Sequence, residues 1–227
     1  FDVQSDPNLS IETDLSRRDF TINAMAYNVI THEFVDPFLG KKDLEKKVIR
    51  TVGAAVTRFQ EDYSRMLRAL RFSVQLDFTV TEKVSKTIKK MAPHLHDKID
   101  NNWVISREVI SKEFLKAFDA NPINSLKLFD EHGLLEILFP DIATLQSCEQ
   151  SPPYHLEGNV LNHIFYAFEQ TESKEYKSYF PKPISLMTKL GILFHDVGKS
   201  STQSTDDDGR KHFKGHASTG AELTKKV

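Results

Sequence analysis

The spacing of apolar residues changes once along the chain, near Gly53. Before that glycine, "EFVDPF" and "KVIRTV" are short apolar runs typical of strands, and the first ends at Asp36-Pro37. Residues 20–30, "FTINAMAYNVI", carry apolar side chains at nearly helical spacing, which predicts a helix. Two strands and one helix together indicate the tail of an α/β unit.

The rest of the chain has helical periodicity. "FTVTEKVSKTIKKM" opens with a predicted capping box between Thr79 and Glu82, and "ISREVISKEFLKAF" has one apolar stripe. In "NPINSLKLFDEHG" the pattern predicts Asn121 as the N-cap, Pro122 in the first helical turn and Gly133 just past the end. The helices therefore follow one another with no strand pattern between them.

Ser151-Pro152-Pro153 interrupts this series and indicates a boundary. Two further helical stretches follow, "NVLNHIFYAFEQ" and "ISLMTKLGILFHDVGK", and then a polar loop, "SSTQSTDDDGR". We therefore predict a mostly α fold with a small α/β remnant in front. The predicted domains are 1–52, 53–150 and 151–227.

Composition narrows the class of protein. The 227 residues hold 30 Lys and Arg against 32 Asp and Glu, so any contact with a polyanion must depend on local charge. The single Cys148 excludes a disulfide framework and is typical of the reducing cytoplasm. No apolar run approaches the roughly 18 residues of a membrane span. We expect the first residues not to be a signal peptide, since they lack a basic and an apolar region, and we expect the chain to be a piece of a longer protein.

The first cluster of interest is Asp14, Arg17, Arg18 and Asp19, within "DLSRRDFTINAMAYN". We expect it at the start of a helix, where free N–H groups and the positive dipole end favour an anion. Two guanidinium groups add bidentate phosphate donors, and the two carboxylates would hold them in place or accept from a ribose hydroxyl. The alternative is a capped helix with exposed ion pairs of little energetic value.

The second cluster lies in "EDYSRMLRALRF", residues 61–72. If this segment is one helix, then Asp62, Arg65 and Arg68 share a face. An acceptor and a donor fixed side by side match the Watson–Crick edge of cytosine or adenine. The alternative is an i, i+3 salt bridge on a helix whose other face is in the core.

These segments resemble the class II tRNA nucleotidyltransferases, which are the CCA-adding enzymes, and the related bacterial poly(A) polymerases. "DLSRRDFTINAMAYN" is similar to the family's ribose and triphosphate motif, and "RFQEDYSRMLRALRF" to its template for CTP and ATP. "DPFLGKKDLEKKVIRTVG" resembles the connector leaving the head. The resemblance continues through "ISREVISKEFLKAF" and "LKLFDEHGLLEILFPDI", so it covers nearly the whole chain. "NAMAYN" is closer to the CCA-adding branch.

The resemblance implies roles for individual residues. Arg17 and Arg18 would hold the triphosphate, Asp19 and Asn23 would orient the ribose or the loop, and Asp62 with Arg65 would read the base. The full implied nucleotide-binding set is Asp14, Arg17, Arg18, Asp19, Asn23, Glu61, Asp62, Arg65 and Arg68. The family's Gly-rich turn and paired carboxylates for two Mg²⁺ ions are expected upstream of this chain, so we expect weak nucleotide binding and no transfer by the chain alone.

Histidines form the third cluster. Between residues 155 and 216 they stand at His155, His163, His195, His212 and His216, and Asp196 follows the third. Imidazoles with a carboxylate suit Mn²⁺, Ni²⁺ or Mg²⁺ and phosphate chemistry. Adjacent side chains on a helix lie about 100° apart, so a His-Asp pair meets one ion only at a helix end or in a wide cleft. The alternative for each histidine is an ordinary structural role.

"HDVGK", flanked by "YHLEGNVLNHI" and "FKGHASTGAEL", resembles the HD-domain phosphohydrolases. The resemblance implies His163, His195 and Asp196 as metal ligands and His216 as a weaker one, with Lys199 neutralising a phosphate. The family's last aspartate ligand would lie beyond the last residue of this chain.

The leading hypothesis is a tRNA CCA nucleotidyltransferase that uses CTP, ATP and Mg²⁺ and carries an HD phosphohydrolase domain. Its helical body would contact tRNA by shape and phosphate charge, and an ordinary solvated helix face is the alternative for its lysines. The candidate lysines are Lys83, Lys86, Lys89 and Lys90. A poly(A) polymerase, a non-catalytic RNA-binding remnant and an HD phosphatase remain alternatives, and the sequence leaves the oligomeric state open.

Overall fold

The computed structural model describes residues 10–99, 101–151 and 157–225. The chain divides into two compact units, Phe1–Asn121 and Pro122–Val227. Helices dominate the described residues and every strand is two residues long, which confirms the mostly α fold class. The predicted division into three domains at 52 and 150 stays a prediction.

The first unit contains six α-helices and six short strands among its described residues. The helices are α1 (Ile11–Ser16), α2 (Gly40–Glu45), α3 (Ala55–Glu61), α4 (Ser64–Leu76), α5 (Glu82–Met91) and α6 (Arg107–Ala120), with 3-10 turns at Thr21–Asn23 and Ala92–His96. The strands are β1 (Ala26–Tyr27), β2 (Phe34–Val35), β3 (Val48–Ile49), β4 (Thr79–Val80), β5 (Lys98–Ile99) and β6 (Asn102–Trp103).

These strands form pairs rather than one sheet. The pairs β1–β2 and β5–β6 are antiparallel, whereas β3 and β4 are parallel, with Val48 opposite Thr79. Helices α3 and α4 form the crossover between the parallel strands, as a parallel pair requires. The two strands predicted before Gly53 are thus present as β2 and β3.

The helix predicted over residues 20–30 is wrong. The segment forms a short 3-10 turn and then strand β1, and Phe20 pairs with Thr51 in an isolated bridge. Phe20, Ile22 and Ala24 are buried, so its apolar residues also alternate with period two. Pairing with neighbouring strands favours the extended form over the helix, because it gives the backbone N–H and C=O groups hydrogen-bond partners.

The predicted capping box of Thr79 and Glu82 is also wrong. Thr79 lies in β4, where it pairs with Val48, and α5 begins at Glu82 with Thr81 as its N-cap. The parallel pairing extends the strand to the residue before the cap. The cap is therefore two residues later than the pattern indicates.

The core of the first unit lies around α4. Met66, Leu67 and Leu70 on this helix are fully buried, and α4 packs along α6, whose Phe114 and Phe118 are buried in the predicted stripe. Because about 25 cal/mol is gained for each Å² of apolar surface buried, this face fixes the orientation of α4. The polar side of α4 is then free to carry Arg65 and Arg68.

The second unit is helical, with one hairpin among its described residues. Its elements are α7 (Pro122–Glu131), α8 (Leu134–Leu138), α9 (Pro140–Ala143), a 3-10 turn (Thr144–Gln146), α10 (Val160–Thr171), α11 (Lys174–Tyr179), α12 (Leu186–Phe194), α13 (Lys199–Thr202), β7 (Ser204–Thr205), β8 (Lys211–His212) and α14 (His216–Thr224).

The predicted helices of this unit are confirmed. Helix α7 starts at Pro122, and Gly133 follows it with a φ of 72°, as expected for a residue past a helix end. Helices α10 and α12 begin after Asn159 and Ser185, whose side chains each accept a helix N–H. The predicted polar loop contains α13 and strand β7. Within the described part of the chain, no helix is long and apolar enough to cross a membrane.

Candidate nucleotide-binding cluster and metal centre

The Asp14–Asp19 segment lies at the end of a helix, so the prediction of a helix start is wrong. Helix α1 begins at Ile11 after the Ser10 cap, and Arg17 is its C-cap residue. A helix start four residues upstream was missed because Ser10 is followed by only one turn of weak apolar spacing. The positive dipole end therefore does not contribute here, and any anion binding depends on the guanidinium groups.

Arg17 and Arg18 are both exposed. Arg18 Nη2 pairs with Asp14 Oδ2 at 2.9 Å, one helical turn back. Among the described residues, the Arg17 side chain has no ion-pair partner. Both guanidinium groups therefore face solvent, and Asp14 holds that of Arg18 in place.

Asp19 is buried, with 6% of its surface exposed. Its Oδ1 accepts from the Phe20 N–H at 2.8 Å and from Asn23 Nδ2 at 3.2 Å. Its Oδ2 forms an ion pair with Arg68 Nη2 at 2.8 Å, without hydrogen-bond geometry. The structure thus brings Asp19, Asn23 and Arg68 together, and Asp19 holds the other two side chains in place.

Asp62 does not lie on a helix face, contrary to the prediction. Helix α3 ends at Glu61, Asp62 is extended with φ −158° and ψ 104°, and α4 begins at Ser64. Asp62 Oδ1 accepts from the Ser64 N–H at 2.8 Å. A short polar side chain that captures a backbone N–H competes with helix continuation, and this accounts for the break.

Arg65 joins the two sequence clusters. Its Nη1 donates to Glu61 Oε2 at 2.6 Å and to the Arg58 carbonyl at 3.1 Å, while its Nη2 donates to the Arg17 carbonyl at 3.4 Å. Together with the ion pair of Arg68 and Asp19, this contact holds the first turn and a half of α4 against the α1 end.

The nucleotide-binding residues implied by the sequence therefore form one cluster in the first unit. Arg58 was not predicted from the sequence, although it pairs with Glu61 at 3.1 Å. It stands three residues before Glu61 on α3, and residues at this spacing are neighbours on a helix, so the ion pair could have been predicted.

A second cluster lies in the second unit, where His163, His195 and Asp196 place one ligand atom each within 4.8 Å of one another. His163 is on α10, and His195 is the C-cap residue of α12. Asp196 Oδ2 lies 3.1 Å from His195 Nε2 and 3.8 Å from His163 Nε2. The adjacent His-Asp pair converges because it stands at a helix end, as the side-chain angles require.

The histidines are oriented by their second ring nitrogens. His163 Nδ1 contacts Glu157 Oε1 at 2.6 Å, and His195 Nδ1 contacts the Ile192 carbonyl at 2.8 Å. His216 follows the same pattern, with Nδ1 on the Phe213 carbonyl at 2.8 Å and Nε2 at 3.7 Å from Asp196 Oδ1. Such bonds orient the rings and turn each Nε2 toward Asp196, as partners of the second ring nitrogen do in metal-ligating histidines.

Asp196 is buried and charged. Burial alone would raise the pKa of this carboxyl, but hydrogen bonds with His195 and Lys199 outweigh burial and hold the pKa well below its usual range. The same bond with Asp196 raises the pKa of His195, against the effect of burial. Lys199 Nζ lies 2.7 Å from Asp196 Oδ2 and 2.7 Å from Gln150 Oε1. An imidazole pair around an ionised carboxylate fits a divalent cation.

The remaining histidines of this span fall elsewhere. His212 lies on β8 and pairs with Asp206 at 2.7 Å, and His155 lies outside the described residues. The sequence did not predict Gln150 or Glu157, which hold Lys199 and His163. Neither residue stands three or four positions from its partner, so the spacing along the chain does not predict the contact.

Comparisons with known proteins find relatives that match along the whole chain. The Poly A polymerase head domain model matches residues 2–50, and the model described as "Probable RNA and SrmB- binding site of polymerase A" matches residues 77–145. A Multifunctional CCA protein of Neisseria meningitidis is 31% identical over 230 residues, covering 100% of this chain and 50% of that protein. Over its whole length the chain is similar to this CCA protein, and two of its segments match models of poly(A) polymerase regions. It spans about half the length of the curated relatives it matches.

Two solved structures of CCA-adding and tRNA nucleotidyltransferase enzymes share the fold. The Bacillus stearothermophilus CCA-adding enzyme in complex with CTP is 36% identical with a TM-score of 0.53, over 61% of this chain and 34% of that chain. A tRNA nucleotidyltransferase complexed with a primer tRNA and an incoming ATP analog is 27% identical with a TM-score of 0.60, over 82% of this chain and 50% of that chain.

Proposed function

We propose that this chain is the nucleotide-selecting and helical part of a tRNA nucleotidyltransferase that adds CCA to tRNA 3′ ends from CTP and ATP. Such a protein works with its tRNA in the cytoplasm. The observation that carries the proposal is the joining of the α1 end to α4 through Arg65 and Arg68. These contacts support the proposal because they bring the backbone beside Arg17 and Arg18 against the helix that begins two residues after Asp62 and carries Arg65.

In this proposal each residue acts through a specific atom. Arg17 and Arg18 bind the triphosphate as exposed bidentate donors. Arg65 Nη2, whose contact with the Arg17 carbonyl is long at 3.4 Å, turns to the base as the donor. Asp62 Oδ1 is engaged by Ser64, so Oδ2 accepts the amino group that cytosine and adenine share. Uracil and guanine offer a carbonyl oxygen at that position and are rejected.

Nucleotidyl transfer in this family depends on a divalent metal, for which we propose Mg²⁺. Among the described residues of the first unit, Asp19 and Asp43 are engaged by Arg68 and Arg50, and no group of three potential ligands converges. These residues do not fit a two-metal site, so the chain's own part is binding and selection. The expected upstream carboxylates stay a prediction.

The test is incorporation by the full-length gene product on a tRNA that lacks its CCA end. CTP alone should extend the tRNA by two nucleotides, because the template accepts cytosine. No extension with CTP, together with long tails with ATP, would make the protein a poly(A) polymerase instead.

A variant series tests the template itself. Asp62→Ala should lower the preference for CTP over UTP by about ten- to a hundredfold, since a hydrogen bond to a charged group contributes about 1.5–3 kcal/mol. Arg210→Ala, an exposed arginine of the second unit, is the matched control and should leave the preference unchanged. Equal preference in Asp62→Ala and the unmodified protein would contradict the assignment.

We also propose a metal-dependent phosphohydrolase site in the second unit, in an HD-type domain. A divalent ion such as Mn²⁺, Ni²⁺ or Mg²⁺ would be held by His163, His195 and Asp196, with His216 as a further ligand, and would supply a Lewis acid for phosphate ester hydrolysis. Lys199 is buried against Asp196, so its proposed role is to hold that carboxylate rather than to contact phosphate.

This second proposal is tested by phosphate release from a 2′-phosphorylated or cyclic nucleotide with each metal in turn. His195→Ala should abolish release and weaken Ni²⁺ binding measured by calorimetry. His212→Ala is the control, because His212 pairs with Asp206 on the hairpin. Tight Ni²⁺ binding by His195→Ala would show that the cluster is structural.

A further inference from the structure

Gly198 stands in the middle of the "HDVGK" segment, between the candidate ligand Asp196 and Lys199. It is buried and precedes α13, with a φ of −75° and a ψ of −9°. This is a right-handed helical conformation that residues with a side chain adopt readily. The backbone conformation therefore does not require a glycine here, and the reason for one must lie in the space around it.

The space beside Gly198 is filled by the first turn of α14. A Cβ atom added at Gly198 would overlap the His216 carbonyl oxygen, and it would lie 2.5 Å from the Gly220 nitrogen and 3.0 Å from the Gly220 Cα. All three are backbone atoms, so no side chain can rotate out of the way. Because heavy atoms pack at about 3.5–4.0 Å, any side chain at position 198 would push this turn away by about 1 Å.

The same turn carries a candidate metal ligand. His216 is the first residue of α14, and its Nδ1 contacts the Phe213 carbonyl at 2.8 Å, which orients the ring relative to the backbone. Its Nε2 then lies 3.7 Å from Asp196 Oδ1. Two ligand atoms on one ion, each bound at about 2.0–2.2 Å, lie roughly 3–3.5 Å apart. His216 is thus just within reach, and a retreat of about 1 Å would remove it.

The other two histidines do not depend on α14. His163 lies on α10 and His195 at the end of α12. Both face Asp196 Oδ2, whereas His216 faces Oδ1. A displacement of α14 therefore moves His216 without moving the elements that carry the other three candidate ligands.

Given the metal site proposed above, on which this role rests, we propose that Gly198 is a positioning residue of that site. Its missing side chain lets α14 approach closely enough for His216 to serve as the fourth protein ligand, beside His163, His195 and Asp196. Gly198 contacts neither the ion nor the substrate and acts only through His216. With a side chain at position 198, the site keeps three protein ligands and binds a divalent ion more weakly.

Calorimetry of Ni²⁺ binding to the full 227-residue chain is the first test. Gly198→Ala and His216→Ala should each weaken Ni²⁺ binding by about ten- to a hundredfold. The double variant should bind no more weakly than either single variant, because both changes remove the same ligand. If the two losses multiply instead, Gly198 acts on the fold and not through His216, which overturns its positioning role.

Two further glycines supply the control and a second variant. Gly191→Ala should keep the Ni²⁺ affinity of the unmodified chain, because a Cβ atom at Gly191, one turn before His195, meets nothing within 4 Å. Gly220→Val enlarges the same contact from the α14 side, where a Cβ atom would already lie 3.3 Å from the Gly198 nitrogen. It should weaken Ni²⁺ binding as Gly198→Ala does, and it decides the question if Gly198→Ala does not fold.

X-ray absorption at the nickel edge counts the imidazoles bound to the ion, a number that a general loss of stability does not change. At saturating Ni²⁺ the unmodified chain should show three, and Gly198→Ala and His216→Ala should each show two. Three imidazoles in Gly198→Ala would overturn its positioning role.

The calorimetric outcomes also separate this role from the metal site itself. If the unmodified chain does not bind Ni²⁺, both proposals are wrong. If His216→Ala weakens binding and Gly198→Ala does not, the metal site stands and only the role of Gly198 is wrong.

Discussion

At the scale of single residues, Asp19 shows how a short motif acts through partners far away in the sequence. Its two oxygens contact Phe20 and Asn23 on one side and Arg68 on the other. A carboxylate that is 6% exposed is costly to bury unless it is paired. Arg68 is therefore a stabilising residue of the α1 end as well as a side chain of α4.

Arg68→Ala should destabilise the chain by about 1–3 kcal/mol, since it leaves the Asp19 charge buried without its counter-ion. Urea unfolding followed by circular dichroism measures the loss. Arg18→Ala is the control, because its exposed pair with Asp14 contributes less than about 0.5 kcal/mol. Equal losses in the two variants would show that Asp19 does not depend on Arg68.

Motif residues were predictable from sequence, whereas the residues that support them were not. Arg17, Arg65 and His195 belong to motifs with recognisable chemistry. Gln150 is far from Lys199 in the sequence, and its Oε1 accepts from Lys199 only after folding. Such partners are defined by tertiary packing, which no local periodicity encodes.

At the scale of elements, the long helices were predictable and the short ones were not. The apolar stripe of α6, the start of α7 at Pro122 and the helix α10 are local features, and the structure has them where expected. The break at Asp62 depends on one side-chain hydrogen bond to Ser64, against a helical pattern that continues on both sides. Residues 20–24 fit both periods, and strand pairing decided the outcome.

The packing of α4 on α6 encloses an ion pair whose contribution to the free energy of unfolding can be measured. Arg71 Nε lies 2.6 Å from Glu113 Oε2, with side chains 12% and 10% exposed, and the contact lacks hydrogen-bond geometry. Glu113→Ala should cost about 3 kcal/mol, because it leaves a buried guanidinium without its counter-ion. Urea unfolding gives the value.

The matched double variant Arg71→Met with Glu113→Leu should recover most of that stability, since apolar side chains of similar volume replace the pair. A double variant less stable than Glu113→Ala would mean that the ion pair itself holds the two helices together.

At the scale of the whole molecule, each compact unit contains one of the two clusters. All nucleotide-binding candidates lie before Asn121, and all metal-ligand candidates lie after Pro122. The sequence separated these two chemistries by motif, although its three-domain division stays a prediction.

This separation predicts how two ligands act on one chain. CTP should slow amide hydrogen exchange at the α1 end and in α3 and α4, because Arg17, Asp62 and Arg65 are the residues proposed to bind it. Ni²⁺ should slow exchange in α10 and at the end of α12, where the proposed ligands His163 and His195 lie. Binding orders the groups that make the contact, and protection reports that ordering residue by residue. Hydrogen–deuterium exchange with mass spectrometry of the full chain measures both patterns. Asp62→Ala should remove the protection by CTP, and His195→Ala should remove the protection by Ni²⁺. If Asp62→Ala removed the Ni²⁺ pattern, a single coupled site would replace the two proposed here.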